Sequence, residues 1–393
     1  MGEEVPQSPI AIVIDPLSNP TVLYQNVAKE LAPSSSILTR FHAGYFRISL
    51  SFGSQVLLWK TLSQHIDETR AIHNILHTQT LPTITFLLLW WLTLCTLSLL
   101  SCLYILRCIF HFRLVKAEFW HHMGVNYLFT PWISWLLLLQ SIPFQHLKIF
   151  PYSWWIFVIP VVMLDVKVYG QWFTTEKRFL SMVANPSSQI SVIGNLVGAW
   201  VAAQMGWKES GVCMFTLGLT HYLVVFITLY QRLSGSNQVP ARLRPVFFLF
   251  VAAPSAASLA WSSISGSFDT PCKMLFYLSL FLFTSLICRP TLFKKSMKKF
   301  NVAWWAYSFP LTFLALASAE YAQEVKGAVA NGLMLILSAL SVLVFLVVMV
   351  FSAINTDVLL REKDPAGLDS SGDQLMYEYK TFNFLDHLVL GDI

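Results

Sequence analysis

Apolar stretches, each near the length needed to cross a bilayer, recur along this chain, and this recurrence constrains its fold more than any other feature. Ten are read, at approximately 41–60, 83–106, 119–142, 152–170, 187–206, 211–231, 245–265, 272–288, 300–319 and 329–353. A helix needs about 20 predominantly apolar residues to span the hydrocarbon core. The expectation is an all-α membrane protein with ten transmembrane helices. The first segment is the weakest, because His42, Arg47 and several serines interrupt it; without it the count falls to nine and the termini part to opposite sides. Composition agrees with a lipid solvent. Only 12% of residues are charged, about half the density of a soluble domain, and mean hydropathy is +0.58.

The formal net charge of +5 reads as orientation, since the bases sit in short loops; nucleic acid is not expected as a partner. Even-numbered loops and their edges hold Arg107, Arg113 and Lys116; Lys167, Lys177 and Arg178; Arg232, Arg242 and Arg244; and Arg289, Lys294, Lys295, Lys298 and Lys299. Odd-numbered loops hold only Lys60, Arg70, Lys148, Lys208, Lys273 and Lys326. By the positive-inside rule both termini are cytoplasmic. Residues 1–39 carry no signal-peptide pattern. This stretch and residues 356–393 read as polar, disordered tails, leaving residues 40–355 as the transmembrane domain.

A second alternation runs through the segments. Odd-numbered ones are rich in small and hydroxyl residues: Gly44, Ser49, Ser51 and Ser54 in the first; Gly124, Thr130 and Ser134 in the third; Ser191, Gly194 and Gly198 in the fifth; Ala252 through Ser258 in the seventh; Ser308 and Thr312 in the ninth. Even-numbered segments are mostly apolar all round, as expected against lipid; the fourth, with Pro160, fits less well. Five helical hairpins follow, odd helices inside and even helices outside, with the inner five around a narrow central pore. Small residues also serve close helix packing alone, which accounts for their presence but not for the alternation.

Prolines accompany the inner set: Pro131, Pro254 and Pro310 lie inside segments three, seven and nine, and Pro186 starts the fifth. Proline removes a backbone hydrogen bond and bends the helix, which bilayers tolerate where the opened turn is buried or faces water. Gly44, Pro131, Gly194, Pro254 and Pro310 are the candidate pore-lining and kink positions. Phe309, beside Pro310, either plugs a narrow channel by dewetting or packs on a neighbouring helix; spacing leaves both open. Arg47 faces an interior or snorkels to the interface. Asp165 and Lys167 pair with each other or with loop charges. Lys116, Lys177, Arg178 and Arg289 form a positive vestibule for anions, or serve topology only.

Enzymatic motifs are missing. The pair His121-His122 lacks partners for a di-iron site, no HExxH, Walker or GxSxG pattern stands in a suitable context, and the six cysteines show no metal or disulfide spacing. No enzyme activity, metal or cofactor is expected.

Several long segments resemble the plant slow-type anion channel family: HAGYFRISLSFGSQVLLWK (42–60), GVNYLFTPWISWLLLLQS (124–141), YGQWFTTEKRFLSMVANPSSQISVIGNLVGA (169–199), RPVFFLFVAAPSAASLAW (244–261) and RPTLFKKSMKKFNVAWWAYSFPLTFLAL (289–316). The resemblance covers roughly residues 40–355 and is greatest to the short-tailed group of slow-anion-channel-associated homologues, the homologue 1 and 4 type; bacterial tellurite-resistance and dicarboxylate transporters are distant relations. It implies a trimer whose protomers each hold a pore, with Phe309 as the occluding ring, Gly44 as a pore glycine, and chloride and nitrate as permeant ions in the plant plasma membrane. Two departures stand out. His42 occupies a position where many relatives have proline, which questions the first kink. The long phosphorylated N-terminal tail is absent, leaving Ser8, Ser34, Ser35 and Ser36 as candidate kinase sites. Short-tailed members are also expected as silent subunits that join conducting relatives in heteromers. A proton-coupled anion or dicarboxylate carrier is the remaining alternative.

Overall fold

The computed structural model describes residues 37–361 except 74–79, 144–149, 175–179, 181–183 and 233–240. Ser8, Ser34, Ser35, Ser36, Lys177 and Arg178 lie outside the described residues. Among the described residues the regular structure is entirely helical, and ten helices have eleven or more residues: α1 Arg47–His73, α2 Thr80–Phe110, α3 Thr130–Gln140, α4 Phe150–Thr174, α5 Gln189–Gln204, α6 Lys208–Arg232, α7 Leu249–Ser265, α8 Thr270–Ile287, α9 Trp305–Val325 and α10 Ala328–Ile354.

Seven of these, α2, α4 and α6 through α10, are long and apolar enough to cross a membrane, and the chain is a multi-pass membrane protein. The other three have a physical reason to fall short. α1 opens on Arg47 and carries buried Ser49, Ser51, Ser54 and Gln55. α3 and α5 have 11 and 16 residues, about 17 and 24 Å of helix. A helix sheathed by protein does not meet the hydrocarbon, so it needs neither full length nor full hydrophobicity.

Burial sorts the helices into two layers. The apolar windows of α2, α4, α6, α8 and α10 are only 28–33% buried, against 72% in the span containing α7 and 89% in that containing α9. In α5 every residue from Gln189 to Ala203 is buried. The inner helices touch in cyclic order, α1 on α3, α3 on α5, α5 on α7, α7 on α9 and α9 back on α1. Each outer helix pairs with the inner helix before it and leans on the next: α2 on α3, α4 on α5, α6 on α7, α8 on α9, and α10 on α1. Three of the hairpins turn through one left-handed residue, Gly206, Gly266 or Lys326, which closes the helix end in few residues.

Polar side chains fasten the layers. Gln55 Nε2 of α1 donates to Thr312 Oγ1 of α9 at 3.0 Å and Ser341 Oγ of α10 at 2.9 Å. The hydroxyls of Ser49 and Ser134 join α1 to α3 at 3.1 Å, and those of Ser255 and Ser279 join α7 to α8 at 2.5 Å. The small residues of the odd segments therefore serve packing and bonding between helices.

The inner helices share a further device. Each is entered through a short, separate turn: the 3-10 turn Ala43–Phe46 before α1, the helical turn Gly124–Tyr127 before α3, and 3-10 turns Pro186–Ser188, Ala241–Phe248 and Val302–Trp304 before α5, α7 and α9. Three of the entries have the same cap. His42, Asn185 and Asn301 are extended, and each side chain accepts the backbone N–H two residues on, satisfying a donor that helix starts leave orphaned. The break before α1 is thus made by histidine without proline.

Several expectations are corrected. Pro131 lies at the first turn of α3, outside the helix interior, where its missing N–H costs nothing; Pro254 and Pro310 do lie inside α7 and α9. Asp165 and Lys167 do not pair: Asp165 is buried, while the Lys167 ammonium donates to the Phe119 carbonyl and lies 3.0 Å from the Phe119 ring centroid. Order also extends into the expected tails. Short helices Ile37–Arg40 and Thr356–Arg361 pack together, and the Tyr45 hydroxyl donates to the Leu359 carbonyl at 2.5 Å.

Candidate functional site: a cavity at five helix starts

Inside the ring lies a cavity lined by Arg47 and Leu50 of α1, Ile133 of α3, Ile190 and Ile193 of α5, Leu249 of α7, and Trp305, Ala306 and Phe309 of α9. All five inner helices contribute, and each contributes from its first five residues. The N-terminal ends of five helices therefore converge on one small space. Each carries a partial positive charge from its aligned peptide dipoles, so the field there favours an anion. The cavity volume is about 10 Å³, room for about one water molecule.

Phe309 stands in this wall. It is 2% exposed, and its ring centroid lies 4.6 Å from that of Phe313 one turn on. Pro310 follows immediately and denies the carbonyl of Ala306, another wall residue, its helical partner.

Arg47 borders the same cavity through the apolar part of its side chain. It is 5% exposed, so it does not snorkel to the interface. Its Nε donates to the Gly44 carbonyl at 2.8 Å, and its guanidinium carbon lies 4.7 Å from the Tyr127 ring centroid. Among the described residues its Nη1 has no hydrogen-bond partner, and a nearby ion pair joins Arg107 to Glu118.

That ion pair sits behind the site and holds the start of α1. Glu118 belongs to the short helix Phe112–Trp120 between α2 and α3. Its Oε1 accepts from the Ala43 backbone N–H at 2.7 Å, and its Oε2 lies 3.5 Å from Arg107 Nη1. Gly124 fits against the same helix, where an added Cβ would stand 2.6 Å from the Glu118 carbonyl oxygen.

Of the glycines and prolines expected to line a pore, none is in this wall. Gly44 serves it indirectly: a Cβ there would meet the His42 ring at 2.7 Å and Arg47 Nη2 at 3.1 Å, so its missing side chain lets the guanidinium fold back. Gly194 faces Phe129, Val161 and Ile133, and so stands behind the wall residue Ile133 without itself lining the cavity. Lys116 and Arg289 are exposed, in connections that lead into α3 and α9, the end of the ring on which the cavity lies. Sequence reasoning missed the aliphatic wall of Leu50, Ile133, Ile190, Ile193 and Leu249, whose residue types match any core. The available signal was position, since Leu50, Ile190 and Trp305 each follow within eight residues of a capping His42, Asn185 or Asn301.

Comparison with known proteins accords with this architecture. The voltage-dependent anion channel family model, SLAC1, matches residues 40–353. The chain is 58% identical over 366 residues to the S-type anion channel SLAH1 of Arabidopsis thaliana, covering 92% of this chain and 94% of that protein. It is 57% identical over 362 residues to the S-type anion channel SLAH4 of the same plant, covering 91% and 96%. Identity to the guard cell S-type anion channel SLAC1 is 41% over 325 residues, 82% of this chain and 57% of that longer protein. With a family model spanning most of its length and relatives well above 50% identity, this chain belongs to the voltage-dependent anion channel family, as an S-type anion channel of the SLAH1 and SLAH4 type.

Proposed function

We propose that this chain is one protomer of a passive slow-type channel for chloride and nitrate in the plant plasma membrane. In this reading all ten helices span the membrane as five hairpins, both termini are cytoplasmic, and three protomers assemble, each with its own pore through the inner ring. The carrying observation is the convergence of five helix starts on one small space lined in part by the buried Phe309. A conduction path for anions needs a favourable field without a tight cage, and helix dipoles around an aliphatic wall supply that. Phe309 is the gate: with its ring in place the throat admits about one water, and an ion cannot shed its hydration into a ring of apolar atoms. Gly44, Pro254 and Pro310 shape the entry and the bend of α1, α7 and α9, Pro131 starts α3, and Lys116, Lys177, Arg178 and Arg289 enrich anions at the cytoplasmic mouth.

The closed throat also fits a subunit that is silent alone and acts by joining conducting relatives, with protein kinases among its regulators. Electrode recording of surface-expressed protein decides. Phe309→Ala removes the ring and is expected to give a constitutive current whose reversal potential follows the chloride or nitrate gradient. Wild type that stays silent alone but changes a relative's current supports the modulatory role. A surface-expressed Phe309→Ala protein without current, alone or beside a conducting relative, refutes the gate.

A further inference from the structure

The connection between α8 and α9 carries the densest run of positive charge on the chain. Arg289 opens it, and Lys294, Lys295, Lys298 and Lys299 follow within one six-residue stretch. All four lysines are exposed. No Asp or Glu occurs between Asp269 and Glu320, and among the described residues none of the four lysines has an ion-pair partner. Orientation by charge accounts for bases in such a loop, but not for the way their backbone is held. The short turns Pro290–Lys294 and Ser296–Lys298 both pack on the turn Ala241–Phe248 that enters α7. Arg244 Nη1 donates to the Leu292 carbonyl at 2.8 Å, and Trp304 Nε1 donates to the Ser296 carbonyl at 3.4 Å. Between them the buried Phe293 ring meets Phe248 and Tyr307. The lysines therefore stand on a fixed base.

Their place in the fold says what meets them. α8 is an outer helix, and its last residue, Ile287, is 49% exposed. The connection leaves that lipid-facing helix and returns to the inner ring, so it crosses the rim of the bundle where headgroups lie. Met297, 57% exposed, stands between the two lysine pairs, an apolar contact flanked by charge as in interfacial segments. Bases directly beyond a spanning helix attract anionic lipid. We propose that Lys294, Lys295, Lys298 and Lys299 form a docking platform for anionic phospholipid headgroups of the cytoplasmic leaflet, with Met297 at the acyl boundary. The inference rests on the cytoplasmic placement of this connection and gives it a partner other than the permeant ion.

Native mass spectrometry of the full chain, released from a neutral detergent, tests this with phosphatidylserine and phosphatidylinositol bisphosphate as probes and phosphatidylcholine as the reference. Adducts of both anionic lipids are expected to exceed those of phosphatidylcholine. Each lysine near the headgroups is worth about fivefold in affinity. Lys294→Gln with Lys295→Gln, or Lys298→Gln with Lys299→Gln, is therefore expected to weaken anionic adducts by at least about tenfold. Lys208→Gln with Lys326→Gln, which removes two exposed charges from odd-numbered connections, is expected to leave them unchanged. Adducts indifferent to both platform pairs, or equally weakened by the Lys208 and Lys326 pair, overturn the inference. Soluble inositol trisphosphate that binds as tightly as the lipid makes the site one for free phosphate and overturns the membrane occupant. So does a Met297→Cys protein that, unlike wild type, labels with an impermeant thiol reagent from outside intact cells, since the platform then faces the wrong leaflet. Current recording keeps the channel reading separate. Lysine-dependent adducts on a protein that never conducts remove the channel and leave the platform. Conduction by Phe309→Ala with adducts indifferent to these lysines removes the platform and leaves the channel.

Discussion

The Arg107–Glu118 pair offers the sharpest energetic test, because both side chains are 98–99% enclosed and both hold the start of α1 against the rest of the ring. At 3.5 Å the two charges attract by about 5 kcal/mol at an effective dielectric of about 20. Removing one partner leaves the other charged and buried, which typically destabilises by about 3–5 kcal/mol, whereas removing both together is close to neutral. Glu118→Gln keeps an oxygen for the Ala43 N–H and deletes only the charge, so it is expected to lose about 3–5 kcal/mol. Glu118→Leu also orphans Ala43 N–H and is expected to lose about 1–3 kcal/mol more. Arg107→Met combined with Glu118→Gln should recover most of the single-variant loss. The measurement is denaturant unfolding in mixed micelles, arranged as a double-mutant cycle over Arg107→Met and Glu118→Gln. With each single loss at about 3–5 kcal/mol and the double variant close to neutral, the expected coupling is about 5 kcal/mol or more. A coupling below about 0.5 kcal/mol would show that the pair does not hold α1 in place and would refute the reasoning.

Two further outcomes are expected. Gly124→Ala drives a methyl to within 2.6 Å of the Glu118 carbonyl oxygen, a backbone atom that cannot swing away, and should destabilise by about 1–3 kcal/mol in the same assay while Gly170→Ala, in open space, should not. Asp269, between α7 and α8, caps α8 at Cys272 N–H. Partial burial acts to raise its pKa, but hydrogen bonds from the Trp261 indole and from Cys272 outweigh this and hold it below the ordinary carboxylate value. Its folded value lies below its unfolded value, so its contribution is complete above the unfolded value and fades as pH falls through the folded one. Thermal scans across that acid range should show a slope in wild type that Asp269→Asn flattens; equal slopes would count against it.

How much of this could be read beforehand divides along physical lines. The order of the long helices follows from apolar run length, and most segment boundaries fall within a few residues of those observed, but the first run stops at 60 where α1 continues to His73 and the third opens at 119 where α3 begins at Thr130. The two layers were legible too, because lipid tolerates only apolar faces and therefore writes itself into the even segments, while Ser49, Ser134 and Ser255 mark surfaces that meet protein. What was not legible is how each inner helix begins. A break after His42, Asn185 or Asn301 depends on one side chain bonding two residues ahead, a signal of a single residue within a long apolar run. Nor could hydropathy place Arg47, since a buried arginine and a snorkelling one have the same sequence. Gly194 is ambiguous in another way: a small residue on an inner helix reads equally as pore lining or as room for a neighbour such as Phe129.

The circular order of contacts has a consequence for biogenesis. The first hairpin leaves the ribosome long before its second neighbour exists, because α1 is completed by α9 and α10 at the far end of the chain. Gln55 makes the wait concrete: its acceptors lie 257 and 286 residues downstream. Until the fifth hairpin is made, an amide that belongs in the protein interior lacks those partners, so a chain cut short before Ser341 keeps an open seam along α1.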